Sequence, residues 1–310
     1  MKSINEHITD FLEYCEIEKG LSDQSIKNYA HFLKPFQDWL ASSGRSTLAP
    51  QDLTPELVWD YRLHLSRARK LEKATQNYYL IGLRNLLSYF TEKNIPSIPA
   101  DKIKLGRLQA KERKIKYLTL EQIEKLLLTP DIGKIQGLRD RAILETLFST
   151  GLRVAELAAL NRNQFPASKL KADKELELTI TGKGGHIRTI YFSPRALEWI
   201  KKYLDARTDM AEALFVNHAR NGESERLTIR SIEKMVKLCS YRAGIETIAS
   251  PHTLRHSYAT DLLTQGVDLR VVQEFLGHRN IVTTQIYTHV TKKYLKDIHE
   301  KFHSGKNLKD

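Results

Sequence analysis

A proline-containing break near residue 100 divides the hydrophobic pattern of this 310-residue chain. Before the break, apolar residues recur at the spacing of amphipathic helices. Pro96 and Pro99 end that periodicity, because proline lacks the backbone N–H that a helix needs. Between Asp101 and Lys116, seven lysines and arginines then stand against two acidic residues. We therefore predict a helical domain at residues 1–98, a basic linker at 99–116 and a second domain at 117–310.

Four amphipathic helices are predicted in the first domain, which makes it a compact helical bundle. Ser22 and Thr54 are suited to cap the second and third of them. Pro35 lies inside the second helix, and we expect it to kink or split that helix. In the fourth helix, from about residue 74 to 93, Tyr78 and Leu83 are expected to face the core. The basic side chains of the bundle have two equally favoured interpretations: they contact an anionic partner, or they form a solvated surface.

Charge favours an anionic partner. The chain has 49 Lys plus Arg against 37 Asp plus Glu, a formal net charge of +12. No window approaches the length of a membrane span and the N-terminus does not resemble a signal peptide, so we expect a cytoplasmic protein without membrane contact. Nucleic acid is then the favoured partner, and the basic linker is suited to follow a phosphate backbone. Cys15 and Cys239 lie at apolar helical positions and are expected to be buried free thiols.

The second domain is predicted to be helical except for one hairpin, so the fold class is mainly α with a small β-sheet (α+β). Leu176, Leu178 and Ile180 alternate with polar residues, as do Ile187 and Thr189 farther on. The turn between them is glycine-rich but lacks the spacing of a phosphate-binding loop that precedes a helix. We interpret it as a tight hairpin tip that presents a lysine, Lys183.

The stretch from Ser250 to Val290 concentrates polar residues at predicted helix ends. A helix is expected to begin at Ser250 and Pro251, which places His252 and Arg255 on one face. A second helix is expected from Leu269 to Leu276, with Gly277 in the left-handed conformation at its end. The next candidates are His278 and Tyr287. Farther upstream, Arg153 and Glu156 stand three apart after a predicted helix break at Gly151; an exposed ion pair is the alternative interpretation of those two.

The ordered motifs STGLRVAEL, TGKGGHIR, PHTLRHSYAT, LGHRN and TTQIYTHV resemble those of the tyrosine recombinase (phage integrase) family. The resemblance covers the whole second domain. It implies a catalytic domain of that family there and a helical, SAM-like core-binding domain before it. In size and layout the chain is most similar to the Xer recombinases, which resolve chromosome dimers.

The resemblance also implies a role for each matching residue. Tyr287 would be the nucleophile, Arg153 and Arg255 would bind the scissile phosphate, and Lys183 would protonate the leaving 5′ oxygen. His252 would assist proton transfer and His278 would hydrogen-bond the phosphate. Glu156 and His256 would support the arginines. No metal, cofactor or ATP is implied.

The partners implied are double-stranded DNA and other recombinase subunits, in a homo-tetramer or in a hetero-tetramer with a second recombinase. A DNA translocase is a further partner implied for Xer-type enzymes. The basic amphipathic tail from Lys292 to Phe302 is predicted to dock on a neighbouring subunit. The sequence leaves three alternatives open: the integrase of a mobile element, a type IB topoisomerase and a DNA-binding protein without catalysis.

Overall fold

The computed structural model describes residues 2–106, 116–168, 170, 176–182, 187–218 and 224–277. The chain separates into two compact units, Met1–Glu112 and Arg113–Asp310. Half of the predicted linker, residues 107–115, lies outside the described residues.

The first unit contains the four predicted helices. They are α1 (Ile4–Ile17), α2 (Asp23–Ser42), α3 (Pro55–Leu63) and α4 (Lys73–Glu92). A π-helical turn, His64–Ala68, continues α3, and short 3₁₀ turns occupy Pro50–Asp52 and Ala100–Lys102. Helix α4 crosses closely over α2, because a Cβ at Gly82 would lie 2.8 Å from Cβ of Phe32. Glycine is what permits this approach.

The structure excludes a split of α2 at Pro35, and it contradicts the expected inward position of Tyr78. Helix α2 runs through Pro35 without a split. Pro35 is buried beside Leu33 and Phe36, and the packing of this apolar face compensates for the backbone hydrogen bond that proline removes. Tyr78 is 55% exposed and stacks on Phe32, with ring centroids 5.7 Å apart, whereas its neighbour Tyr79 is buried.

The second unit is helical around one two-stranded sheet. In the described residues its helices are α5 (Leu120–Leu128), α6 (Ile135–Thr150), α7 (Val154–Ala158), α8 (Pro194–Asp205), α9 (Ile229–Arg242), α10 (Pro251–Thr264) and α11 (Leu269–Leu276). The strands are β1 (Leu176–Thr181) and β2 (Ile187–Phe192). None of the helices described combines the length and the apolarity needed to cross a bilayer.

Capping residues explain where several of these helices begin and end. Thr119 and Gln122 form a reciprocal capping box at the start of α5. Ser250 caps α10 and Pro251 is its first residue. Asp268 caps α11, and Gly277 ends it with a φ of +61°. The left-handed turn at Gly277 therefore ends α11 where the sequence predicts it.

The hairpin forms as predicted, but the residues of β2 that face inward are not the expected ones. The strands are antiparallel, with Leu176 opposite Phe192 and Thr181 opposite Ile187. On β2 the residues that face inward are Arg188, Ile190 and Phe192, and Ile187 is 72% exposed. The inward positions of β2 are thus shifted by one residue from the expected Ile187 and Thr189. One of the inward positions is occupied by a charged residue, Arg188, which hides the alternation in the sequence.

Two apolar clusters hold the described part of the second unit together. The larger joins α5, α6, the hairpin, α8 and α9 through side chains such as Leu144, Phe192 and Val236. The smaller consists of Ala259 and Leu263 on α10 with Val272 and Leu276 on α11. Helix α11 thus packs on the second half of α10 through a cluster that is separate from the main core.

Candidate active site

Arg153 is placed by a sharp turn between α6 and α7. Gly151 ends α6 with a φ of +59°, and Arg153 stands at the N-cap of α7. A Cβ at Gly151 would lie 2.5 Å from Cδ1 of Tyr258, so this position requires glycine for space as well as for conformation. The side chain of Arg153 is 35% exposed, which leaves it accessible to a ligand.

Glu156 joins Arg153 to a second arginine, Arg188 on β2. The carboxylate accepts a hydrogen bond from Nη1 of Arg153 at 2.9 Å and from its backbone N–H at 2.8 Å. It also accepts two from Arg188, from Nη1 at 2.9 Å and from Nη2 at 2.7 Å. The side chains of Glu156 and Arg188 are each only 8% exposed. The pair Arg153–Glu156 is therefore part of a buried network and not an exposed ion pair.

The ionisation of Glu156 follows from these contacts. Burial opposes the charged form, but the hydrogen bonds from Arg188 and Arg153 outweigh it and lower the pKa of Glu156 to about 2. The group is thus a carboxylate at neutral pH, with two guanidinium partners.

Arg255 lies on α10 and is 3% exposed. It donates from Nη1 to the carbonyl oxygen of Gly151 and from Nη2 to that of Leu276. These carbonyls lie at the C-terminal ends of α6 and α11, where helices leave acceptors without an intrahelical partner. Arg255 therefore ties together the two helix ends that surround the site.

His252 stands one turn before Arg255, at the start of α10. Burial, then the charges of Arg255 and Arg153, lower its pKa below the usual value of 6.5. Its ring meets that of His256 edge to face, with centroids 4.2 Å apart. Burial and the nearby His252 and Arg255 lower the pKa of His256 to about 4. Both imidazoles are therefore neutral at pH 7, and His252 is able to accept a proton.

One pocket of about 400 Å³ is lined by three of the predicted site residues. Its lining includes Arg153, His252 and Arg255, together with Glu233 of α9 and Ser250. The two guanidiniums make it suitable for an anion, and the N-terminus of α10 adds favourable backbone dipoles. A phosphodiester bound here would lie within reach of a neutral histidine.

The remaining three predicted site residues cannot be placed relative to this pocket. Lys183, His278 and Tyr287 lie outside the described residues. Nη2 of Arg153 donates to the carbonyl oxygen of Gly277 at 3.0 Å, and His278 is the next residue in the chain. Lys183 follows Gly182, the residue after β1.

Sequence reasoning missed Arg188, Glu233 and the backbone carbonyls that the arginines bind. The position of Arg188 on the same face of β2 as Ile190 and Phe192 was a usable signal, since a buried arginine requires an acidic partner. Glu233 and the carbonyl acceptors gave no signal, because they depend on tertiary contacts between distant segments.

Comparison with known proteins shows which family the chain matches. Residues 116–294 match the model of the phage integrase family, and residues 8–97 match the N-terminal SAM-like domain of phage integrases. A tyrosine recombinase XerD of Listeria innocua is 37% identical over 97% of this chain and 99% of its own length. A tyrosine recombinase XerC of Pelotomaculum thermopropionicum is 34% identical over 96% of this chain and 97% of its own.

Among solved structures, XerH site-specific recombinase bound to its difH substrate, a pre-cleavage complex, superposes with a TM-score of 0.73. That protein is 23% identical and the match covers 96% of this chain and 97% of that one, so it supports the fold.

The chain belongs to the phage integrase family, and it is a site-specific tyrosine recombinase, an enzyme that transfers DNA strands. Its curated relatives named above, XerD and XerC, align along nearly its whole length.

Proposed function

We propose that this recombinase cuts and rejoins DNA through a covalent 3′-phosphotyrosine on Tyr287, and that the pocket between α7 and α10 holds the scissile phosphate. The observation that carries this proposal is the convergence of Arg153, His252 and Arg255 on one pocket. These residues come from segments about a hundred positions apart, and they are three of the six in the family's motifs.

The two arginines stabilise the charge that builds up during attack. A nucleophile that adds to a phosphodiester increases negative charge on the non-bridging oxygens, and fixed guanidiniums offset it in the transition state. Arg153 and Arg255 are held in place before substrate binds, because both donate to backbone carbonyls of the fold. Their orientation therefore costs little reorganisation when the reaction takes place.

Proton transfers complete the reaction. Tyrosine, with an ordinary pKa of about 10, must lose its proton as it attacks, and neutral His252 is suited to accept it. Lys183 donates a proton to the 5′ oxygen as that oxygen leaves, and His278 donates a hydrogen bond to the phosphate. The phosphorus–oxygen bond to the 5′ oxygen is replaced by one to Tyr287, so the free 5′ hydroxyl of another strand later reverses the step without ATP.

The biological role that we propose is Xer-like resolution of chromosome or plasmid dimers. Support comes from the XerD- and XerC-named relatives, which match the chain over nearly its full length. Recombination would proceed through a Holliday junction in a tetramer, with identical subunits or with a second recombinase, and with a DNA translocase as activator. The setting for such a role is the cytoplasm. The role of a mobile-element integrase is less favoured, since these relatives carry Xer names.

A covalent trapping experiment tests the nucleophile and the pocket. The full chain is incubated with duplexes whose sequences come from genomic fragments that it binds and that carry a nick near the cleavage site. After cleavage the short fragment with the free 5′ hydroxyl diffuses away, so religation is prevented and the covalent adduct persists. We expect a DNA adduct from the parent protein and none from Tyr287→Phe, which retains the ring but lacks the hydroxyl. An adduct of equal yield with Tyr287→Phe would overturn the assignment of the nucleophile.

A second experiment tests the assembly. Removal of the residues after Val290 is expected to abolish tetramers on DNA, because the apolar face of the predicted tail could no longer dock on a neighbour. Binding of one subunit to a half-site serves as the control for folding. Normal recombination by the shortened protein would refute docking through the tail.

A further inference from the structure

Arg188 lies beside the pocket without lining it, and its buried side chain has no assigned part in the proposed reaction. Its guanidinium donates to both oxygens of Glu156, at 2.9 and 2.7 Å. The side chain is 8% exposed, although Ile187 and Tyr191 of the same strand are exposed. The fold therefore buries a charge at a position where an apolar residue would be easier to accommodate.

The same side chain also packs against Gly277. A Cβ at Gly277 would lie 2.9 Å from Cδ and 3.0 Å from Nη1 of Arg188. Gly277 is the residue whose carbonyl binds Arg153. Arg188 thus touches both groups that orient Arg153, the carboxylate of Glu156 and the backbone at Gly277.

We infer that Arg188 is a positioning residue for Arg153: it holds Glu156 in the orientation that fixes the Arg153 guanidinium, and it keeps that guanidinium's charge available for phosphate. The inference rests on the proposed function, in which Arg153 binds the scissile phosphate.

The electrostatic part of this role follows from the number of charges. Glu156 accepts from two arginines, so the three side chains carry one net positive charge. Without Arg188, Glu156 would pair with Arg153 alone, and the pair would be neutral. A phosphate entering the pocket would then meet a guanidinium whose charge is compensated and whose donors are drawn toward Glu156.

A double-mutant cycle tests the inference. Cleavage is measured in single turnover on a duplex whose scissile 5′ oxygen is replaced by sulfur, a better leaving group that brings slow variants into range. Arg188→Gln should slow cleavage about 10- to 100-fold, as the loss of a partner that orients an active-site ligand commonly does. In an Arg153→Ala background the same substitution should change the rate by less than roughly threefold, because the residue through which it acts is gone. If that background is too slow to measure, Arg153→Lys replaces it.

Three comparisons separate positioning from a general structural effect. Arg188→Lys, which retains the charge but not the two-pronged contact, should recover part of the rate. Affinity for DNA should change little in Arg188→Gln. Arg195→Gln, which removes another arginine that pairs with a buried glutamate of this unit, Glu145 at 2.9 Å, should cleave at the parental rate.

An equal loss in the parental and Arg153→Ala backgrounds would overturn the inference, and so would an Arg188→Gln protein that cleaves like the parent. If Arg188→Gln does not fold, the cycle is run with Arg188→Lys. Failure of the proposed function is distinguishable, because the parent protein itself would then form no adduct.

Discussion

Arg153 donates a hydrogen bond to the carbonyl oxygen of Gly277, 124 residues farther along the chain, at 3.0 Å. The first arginine of the pocket is therefore held by the residue that directly precedes His278. This contact connects the start of α7 to the end of α11, and it depends on the left-handed conformation that ends α11.

Alanine at Gly277 should impair both stability and cleavage. The position has a φ of +61°, and a side chain would also collide with Arg188. Gly244→Ala is the matched control, because Gly244 has a φ of +65° but open space around it. We expect each variant to lose about 1–2 kcal/mol of unfolding free energy from the backbone alone. Only Gly277→Ala should also slow single-turnover cleavage; equal cleavage by the two variants would show that the contact with Arg188 has no effect.

The two arginines of the pocket should differ in their effect on stability. Arg255 is 3% exposed and binds two backbone carbonyls, whereas the side chain of Arg153 is 35% exposed. Lysine retains the charge but cannot span both carbonyls, so Arg255→Lys should lose about 2 kcal/mol or more of unfolding free energy. Arg153→Lys should lose about 1 kcal/mol or less. Both should slow cleavage by about 10²-fold. Urea denaturation with a cleavage assay measures the difference, and equal losses of stability would contradict the burial argument.

Stability should depend on pH through Glu156. Its pKa is lowered from 4.5 to about 2 in the folded protein, so its stabilising contribution is complete well above pH 4.5 and is lost as the pH falls toward 2. The excess stability of the parent over Glu156→Gln should therefore shrink by about 1 kcal/mol between pH 7 and pH 4, and by about 2 kcal/mol at pH 3. Urea titrations of both proteins at these values test this. A difference that stays constant with pH would mean that Glu156 is not the ionised partner of Arg188.

Cleavage should respond to the protonation of His252. Burial and the charges of Arg255 and Arg153 lower the pKa of His252 below 6.5, and His256 packs against it in neutral form. If His252 accepts the tyrosine proton, the cleavage rate at subsaturating enzyme should rise with pH and level off, with a midpoint below 6.5. His252→Gln should cleave at least about 10²-fold more slowly and lack this acidic limb. An unchanged pH profile in the variant would assign the proton transfer to another group.

Local rules in the sequence were sufficient for most of the fold. Ser250 and Pro251 located the start of α10, and Gly277 located the end of α11, because these signals act within a few residues. The departures from expectation occurred where tertiary packing outweighs local preference. Pro35 is accommodated because its helix is held by buried neighbours, and Tyr78 faces outward.

The site residues that belong to the ordered motifs were predictable from the sequence. Arg153, His252 and Arg255 do meet in one pocket, and the roles of Lys183, His278 and Tyr287 stay predictions. The network around Arg153 was not predictable from spacing. It joins residues 153, 188 and 277. The strand position of Arg188 could signal a buried arginine in need of an acidic partner, but it could not say that the partner is a glutamate 32 positions earlier.

The small apolar cluster beneath α11 has a consequence for hydrogen exchange. In the described residues that cluster contains only Ala259, Leu263, Val272 and Leu276 as fully buried members, far fewer than the main core. Helix α11 should therefore open as a separate cooperative unit at a lower free energy than α6, with its amides exchanging first. The contact of Arg255 with Leu276 opposes that opening. A ligand that orders Arg255 would thus slow exchange in α11, so that occupancy of the pocket could be detected in a helix that does not line it.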